Sequence, residues 1–296
     1  MPKIKADEAL AQGERLWQDG DQQAAAEAFR RARLFFHEAD DREGEAEALV
    51  ALGSLDLARG HLAGARAALV EARGLYTSVG SHHGQAEALM HLAGVAGNEG
   101  HPDEAVDLLR SAREQFRAGG DVAGEARALR RSGHIALESG KDDQALEQYQ
   151  QARALAMEAG DSLGEASAFK ALARLHSRLG RGDRAHEAYE NALDLYRSIG
   201  DLLGEAAALS GLAHLMLSLG NPAEARENFS QAARRFARGG NLTAEAEALL
   251  SLARLERPGD PSHARRHFEH AADLFARVGQ RDQSDACRQE ANDIGQ

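Results

Sequence analysis

The sequence predicts an all-α protein built as a solenoid of repeated helix pairs, and three observations lead to this prediction. Glycine recurs every forty residues, at Gly80, Gly120, Gly160, Gly200 and Gly240, and a second column falls midway, at Gly20, Gly60, Gly100, Gly140, Gly180 and Gly220. Between the glycines, apolar and alanine residues recur at spacings of three and four, the period of an amphipathic helix and not of a strand. A single helix pair cannot bury its apolar faces alone, so neighbouring pairs must stack.

The residues around each glycine predict where the helices end and begin. Glycine after the last turn can adopt the left-handed conformation that ends a helix, and the Asp, Asn or Ser that follows can cap the next helix. The clearest start is at Asn221, Pro222 and Glu224, which supply a cap, a proline at the first helical position and an acid in the first turn. Two repeats depart from the pattern: in the first, Asp40 stands where glycine is expected, and the seventh has lost one residue in its turn at 256–260.

Seven repeats fit this spacing, beginning near residues 6, 46, 86, 126, 166, 206 and 246. A polar helix at 281–294 follows them and is expected to cap the end of the stack. No linker or low-complexity segment divides the chain. We therefore expect residues 1–296 to form a single domain.

Length and composition exclude several classes of protein. The chain has 296 residues with 35 Lys and Arg against 47 Asp and Glu, a formal charge of −12, which argues against nucleic acid as a general partner. One cysteine, Cys287, excludes an intramolecular disulfide and a cysteine-based zinc site. No apolar stretch reaches the roughly 20 residues of a membrane span, and the first residues lack the apolar core of a signal peptide. These features predict a cytoplasmic protein without membrane insertion.

Each repeat carries the same set of packing residues. In the sixth repeat they are Leu209, Leu212 and Ala213 on the first helix and Ala225, Phe229 and Ala232 on the second. This order resembles the tetratricopeptide repeat over nearly the whole chain, and the forty-residue spacing with its Gly-Asp-x-x-Gly-Glu-Ala junction resembles the long-repeat subgroup of Pins and LGN polarity scaffolds. The resemblance implies a right-handed α-solenoid of about seven helix pairs plus the capping helix, in which ligands lie in a concave groove lined by the first helices.

Carrying the family's groove positions onto this sequence gives a surface of uneven charge. Its basic residues are Arg127, Arg130, Arg131 and His134 in the fourth repeat, Lys170, Arg174 and Arg178 in the fifth, then His214 and Arg254. Residues four apart share a helix face, so these side chains are expected to form adjoining rows of donors that suit carboxylates. Apolar groove residues nearer the N-terminus, among them Trp17 and Met90, are expected to accept apolar side chains of the same peptide.

Several of these assignments have an alternative interpretation. For the basic residues, the alternative is that they are solvated side chains that balance acids such as Glu125, Glu138 and Glu165. For Trp17, the alternative is that it belongs to the core of the first repeat. Gly94 and Gly97 lie inside a helix on the groove side, where each costs about 1 kcal/mol relative to alanine. Either they leave space for a ligand backbone or they reflect drift among the repeats. Ser132 and Gly133 replace the usual leucine and alanine, which predicts a looser core there.

Sequence motifs for catalysis are absent, so we expect a protein that is not an enzyme and has no cofactor. There is no Gly-x-Ser-x-Gly, no His-Glu-x-x-His and no phosphate-binding glycine loop after a strand. His263, His267 and His270 have ligand-like spacing, but equivalent positions in other repeats are polar or small, which favours an exposed helix face over a metal site. Whether these three histidines bind a metal stays open.

Together these features predict a non-catalytic scaffold or adaptor whose groove binds an acidic segment of a partner protein or peptide. Two other functions stay open. One is a structural solenoid that assembles into homo-oligomers. The other is a sensor of a small anion or a signal peptide, similar to the bacterial Rap-type repeat proteins.

Overall fold

The computed structural model describes residues 2–294, which form fifteen α-helices and no β-strand. The helices group into two compact units, one up to residue 159 and one from residue 160 onward. Unit 1 contains α1 (Pro2–Gln18), α2 (Gln22–Glu38), α3 (Arg42–Ala58), α4 (Leu62–Val79), α5 (His82–Asn98), α6 (Pro102–Ala118), α7 (Val122–Glu138) and α8 (Asp142–Glu158). Unit 2 contains α9 (Ser162–Arg178), α10 (Gly182–Ile199), α11 (Leu202–Ser218), α12 (Pro222–Arg238), α13 (Leu242–Glu256), α14 (Pro261–Arg277) and α15 (Arg281–Asp293). The predicted all-α solenoid of helix pairs is confirmed, and a single domain over 1–296 stays a prediction.

Connections of two to four residues join the helices, so consecutive helices pack side by side as hairpins. The glycine columns have positive φ, for example 79° at Gly100, which ends the helix as predicted. Asp40 adopts φ 52° and so makes the same turn in the first repeat without a glycine. Asn221 occupies the predicted N-cap position of α12, with Pro222 and Glu224 in the first turn, but the expected capping hydrogen bond from its side chain is not made.

Aromatic rings cover glycines at the joints between successive helix pairs. The pairs are Phe36 over Gly44, Tyr76 over Gly84, Phe116 over Gly124 and Tyr196 over Gly204. Phe116 is fully buried, and a β-carbon on Gly124 would lie 2.6 Å from its Cε1 atom, well inside van der Waals contact. The glycine in the first turn of α7 is therefore a packing residue that lets the ring lie flat on the helix backbone.

Two other glycines leave room for tyrosine rings inside a repeat. A β-carbon on Gly133 would lie 2.6 Å from Tyr149 Cε1, and Gly211 faces Tyr189 in the same way. The predicted loosening of the core is therefore wrong at Gly133, where the buried tyrosine fills the space. Ser132 is buried and borders a small pocket of about 160 Å³ between α6, α7 and α8, and a looser core there stays a prediction.

Buried glutamates in the first turn of several first helices pair with arginines of the preceding helix. Glu125 of α7 is 6% exposed and accepts hydrogen bonds from Arg113 Nε, at 2.7 Å, and from Arg117, both on α6. Desolvation raises the pKa of Glu125, but the two arginines outweigh it, so the pKa lies below its ordinary value. Glu125 therefore does not balance the groove arginines, and that alternative interpretation is wrong for this residue.

The last helix lies where the capping helix is predicted. On α15, Ser284 Oγ donates a 2.8 Å hydrogen bond to the Ala272 carbonyl, and Cys287 is buried against unit 2. Within residues 2–294, no helix combines the length and the apolar character needed to cross a lipid bilayer.

Candidate functional site

The first helices of unit 2 line an open cavity of about 760 Å³. Side chains from α9, α11 and α13 form its walls, and Tyr189 and Phe236 reach it from the second helices. The lining residues are Lys170, Arg174, Ser177, Tyr189, Ala207, Ser210, Gly211, His214, Leu215, Ser218, Phe236, Ala244, Glu247 and Ser251. Its volume is within the range of ~300–1,000 Å³ that is typical of ligand pockets.

Two of the predicted basic residues, Lys170 and Arg174, stand one helical turn apart in the α9 wall of this cavity. The Lys170 ammonium lies 5.5 Å from the centroid of the Tyr196 ring, which holds the side chain beside the protein surface. Small residues such as Ala207 and Ser210 line the cavity next to them. Lys170 is half-buried and Arg174 is exposed, so the two cations present positive charge to any ligand in the open cavity.

His214 lines the same cavity but does not add a positive charge at neutral pH. Its ring packs edge-on against Phe229, with 4.9 Å between the ring centroids. Burial lowers the pKa of His214 below its ordinary value, so the neutral imidazole predominates near pH 7. This residue offers a neutral hydrogen-bonding group where the sequence predicts a basic one.

We expect the thermal stability of the chain to fall between pH 7.5 and pH 5.5, because burial lowers the pKa of His91, His176 and His214. In the unfolded chain the histidines are protonated near pH 6.5, whereas in the folded chain they are protonated only at lower pH. Their contribution to the free energy of unfolding is therefore complete above pH 6.5 and declines below it. Circular dichroism melts of His91→Gln, a half-buried residue, should show a shallower decline than wild type. The exposed His186→Gln is the matched control, and an unchanged decline in His91→Gln would contradict the assignment.

Two further predicted residues of unit 2, Arg178 and Arg254, do not line the cavity. Arg254 Nη2 donates a 2.7 Å hydrogen bond to Glu290 Oε1 and so ties α13 to the capping helix. Arg178 is an exposed residue at the C-terminal end of α9. The cation set of the cavity is therefore smaller than the sequence predicts.

In unit 1, the predicted basic residues of α7 have mixed surroundings. Arg127 forms an ion pair with Glu87 of α5 and lies 5.4 Å from the centroid of the Phe116 ring. Arg131 donates a 3.0 Å hydrogen bond from Nη1 to the Met90 carbonyl. Desolvation and the charges of its arginine neighbours lower the pKa of Arg131, although a guanidinium stays charged at neutral pH. The predicted adjacency of this α7 row to the α9 row stays a prediction.

Of the two predicted apolar groove residues, Met90 lies in the core and Trp17 packs against it. Met90 is 3% exposed and packs with Leu89 and Ala93 of α5, so its assignment as a peptide contact is wrong. Trp17 is half-buried, with its ring edge-on to Phe29 at a centroid distance of 6.3 Å. Trp17 thus fits the alternative interpretation of a core residue of the first repeat.

A different apolar pocket, of about 370 Å³, opens between the first helices of unit 1. It is lined by Leu57, His91, Ala93, Gly94, Gly97, Leu109, Arg131, His134, Ile135 and Glu138. Sequence reasoning places Leu57 in the groove but missed Leu109 and Ile135 as site residues. The pair of mid-helix glycines, Gly94 and Gly97, is the sequence signal that points to this pocket.

The three histidines of α14 contact three separate carboxylates. His263 pairs with Asp260, His267 Nδ1 lies 2.8 Å from Glu256 Oε2, and His270 Nε2 lies 3.9 Å from Glu245 Oε1. Within residues 2–294, ligand atoms come within 4.8 Å of one another at Glu99, His101 and Glu104 instead. The Arg66 guanidinium already binds the two glutamates of that group, so a cation occupies the place of a metal.

A family model described as a tetratricopeptide repeat matches residues 84–158, 124–198 and 204–277. The chain belongs to the tetratricopeptide repeat family. These repeats contain most of the helices that line both cavities, and the Pins and LGN subgroup stays a prediction. No curated protein sequence matches this tetratricopeptide repeat chain at a significant level.

Solved structures of similar fold include a Rap protein, a phosphatase and a quorum sensor. A Rap protein complexed with Competence and Sporulation Factor is similar with a TM-score of 0.66 and 16% identity, over 100% of this chain and 76% of that chain. Aspartyl phosphate phosphatase F from Bacillus subtilis is similar with a TM-score of 0.72 and 16% identity, over 96% of this chain and 72% of that chain. The apo form of the quorum sensor NprR from B. thuringiensis is similar with a TM-score of 0.61 and 13% identity, over 98% of this chain and 87% of that chain. At these identities the similarity establishes the fold alone.

Proposed function

We propose that this tetratricopeptide repeat protein is a non-catalytic scaffold or adaptor that binds an acidic segment of a partner protein or peptide. Membership of the family supports a role as a protein-interaction scaffold. The observation that carries the finer proposal is the pair Lys170 and Arg174 in the wall of the 760 Å³ cavity of unit 2, whose lining includes a single carboxylate, Glu247.

The chemistry of the cavity favours a carboxylate ligand. Charge-assisted hydrogen bonds from an ammonium or guanidinium to a carboxylate contribute about 1.5–3 kcal/mol each, more than neutral ones. The two cations share one face of α9, so one acidic side chain can contact both or two neighbouring acids can contact one each.

Hydroxyl groups of the lining suit a peptide backbone. Ser218 Oγ donates to the Leu215 carbonyl at 2.7 Å, and Ser251 Oγ donates to the Glu247 carbonyl at 3.0 Å. Since each hydroxyl uses its proton within its own helix, its oxygen remains an acceptor for an N–H group. An extended acidic peptide would supply both the carboxylates and the N–H donors.

The test is a charge reversal of the cavity wall. In fluorescence polarisation with a labelled twelve-residue peptide of alternating Glu and Ser, Lys170→Glu with Arg174→Glu should weaken binding at least about a hundredfold, from the loss of two charge-assisted bonds. Wild-type affinity should also fall with added salt. Arg226→Glu with Arg238→Glu, the same double charge reversal on the exposed surface of α12, is the matched control. Equal affinity in wild type and the double variant would refute the proposal.

A second candidate is a sensor whose groove receives a signal ligand. Its support is the fold shared with the Rap protein complexed with Competence and Sporulation Factor and with the quorum sensor NprR. The two candidates differ in one measurable property, because a sensor must change conformation on binding. A hydrodynamic radius that is the same with and without bound peptide would favour the scaffold.

A further inference from the structure

We infer that the apolar pocket of unit 1 binds one aliphatic or aromatic side chain of a peptide that carries a carboxylate beside that side chain. The inference rests on the proposed function, because it assumes an acidic peptide as the partner. It adds a second site, in the other compact unit, and it specifies the residue type that follows or precedes the acid.

The first observation is that Gly94 and Gly97 are not required by packing. A β-carbon on Gly97 would meet no atom within 4 Å, and one on Gly94 would meet Leu57 Cδ2 at an ordinary contact distance of 3.5 Å. Both residues lie inside α5, where glycine destabilises a helix relative to alanine. The protein therefore carries two helix-weakening residues at positions where alanine fits.

Two other helix-interior glycines that face the core have a steric reason, whereas Gly74, on the exposed side of α4, has none and does not line the pocket. A β-carbon on Gly133 would overlap the Tyr149 ring, and one on Gly53 would lie 2.7 Å from Leu69 Cγ. Gly94 and Gly97 differ from these two because the space beside them belongs to the 370 Å³ pocket. What the two glycines preserve is the volume of that pocket.

The pocket has an apolar interior. Leu57 of α3, Leu109 of α6 and Ile135 of α7 contribute aliphatic side chains, and the glycines expose the backbone of α5 between them. A volume of 370 Å³ is at the low end of the range of ~300–1,000 Å³ for ligand pockets. That size fits one large side chain and its backbone, so we commit to a single leucine-like or phenylalanine-like residue.

The rim of the pocket favours a neighbouring carboxylate. Arg131 lines the pocket and uses one of its five N–H donors for the Met90 carbonyl. His134 lies beside it on the same helix, 3.7 Å from Glu138. His91 contributes its ring to the lining, with Nδ1 3.2 Å from Ser54 Oγ, and burial lowers the pKa of this histidine. The charge of Arg131 thus marks the side from which an acidic residue would approach.

The experiment measures binding of labelled peptides Ac-Gly-Ser-Glu-X-Glu-Ser-Gly, in which X is Leu, Phe or Ser, by fluorescence polarisation. Wild type should bind the Leu and Phe peptides at least tenfold more tightly than the Ser peptide. Gly97→Leu, whose side chain enters the pocket, should reduce that preference to less than threefold, and Arg131→Gln should weaken all three peptides.

Thermal stability distinguishes pocket filling from damage to the fold. Gly97→Ala and Gly97→Leu should each raise the Tm by roughly 1–3 °C, because both residues are better helix formers than glycine. Gly74→Ala is the matched control, since Gly74 is an exposed helix-interior glycine of α4 with no atom within 4 Å of its β-carbon position. That variant should gain stability and keep the wild-type preference for Leu and Phe.

The outcomes separate this inference from the proposed function. Equal binding of the Leu and Ser peptides, or an unchanged preference in Gly97→Leu, overturns the pocket while acidic-peptide binding in unit 2 stands. A Leu preference that survives the Lys170→Glu and Arg174→Glu reversal with undiminished affinity supports the pocket and overturns the unit 2 site. Failure of all three peptides to bind overturns both.

Discussion

Replacing Gly124 with alanine should destabilise unit 1 by about 1–3 kcal/mol, even though alanine is the better helix former. The added β-carbon would lie 2.6 Å from both Phe116 Cε1 and Asp121 Oδ2. The aspartate caps the same helix by accepting a 2.7 Å hydrogen bond from the Gly124 amide, so the overlap disturbs the ring and the cap together. Urea denaturation followed by circular dichroism measures the change.

A double-mutant cycle tests whether the ring is the cause. Phe116→Ala alone should cost about 3–5 kcal/mol, since the ring is fully buried. Added to that background, Gly124→Ala should cost little or be stabilising, because the atoms it overlaps are gone. Gly74→Ala is the matched control and should stabilise the chain. A Gly124→Ala cost that is the same with and without the Phe116 ring would contradict the packing account.

The repeat spacing predicts the helix boundaries because turn chemistry acts locally. A glycine in the left-handed conformation and a following cap residue depend on a few neighbouring positions, so Gly100 and Gly120 end helices as expected. The packing of Phe116 over Gly124 is local too, but it depends on the direction of a side chain across a turn. A column of glycines does not reveal that direction, and these glycines appear in the sequence only as junction residues.

The candidate site is less predictable, because a residue's place in a groove depends on rotation about the helix axis and on partners forty residues away. Met90 occupies a groove position by analogy with the family, yet its side chain points into the core. Arg127 is a predicted donor, but Glu87 in the preceding repeat neutralises it. Lys170 and Arg174 share one helix face and line the wall of a cavity, and their contact with a peptide stays a prediction. Sequence spacing predicts which face of a helix a residue occupies, but it does not predict which side chain that residue contacts.

Replacing Arg235 with alanine should destabilise unit 2 by about 1–3 kcal/mol, because it leaves a buried carboxylate incompletely paired. Glu205 is 5% exposed and accepts hydrogen bonds from Arg235 Nε at 2.8 Å and from Arg197 Nε at 3.1 Å. Arg234→Ala is the matched control: its side chain is 60% exposed and faces Glu227 at 3.7 Å, so it should change stability by less than about 0.5 kcal/mol.

The pH dependence identifies the charge of Glu205 as the cause. Desolvation raises the pKa of this carboxyl, but the hydrogen bonds from Arg235 and Arg197 outweigh it, and the folded-state pKa lies below the ordinary value. Its stabilisation is therefore complete above the unfolded pKa of about 4.3 and is lost as the pH falls through the lower folded-state pKa. The difference in the free energy of unfolding between wild type and Arg235→Ala should accordingly be large at pH 7 and small in strong acid. A difference of equal size at both would assign the effect to the packing of the arginine's aliphatic stem instead.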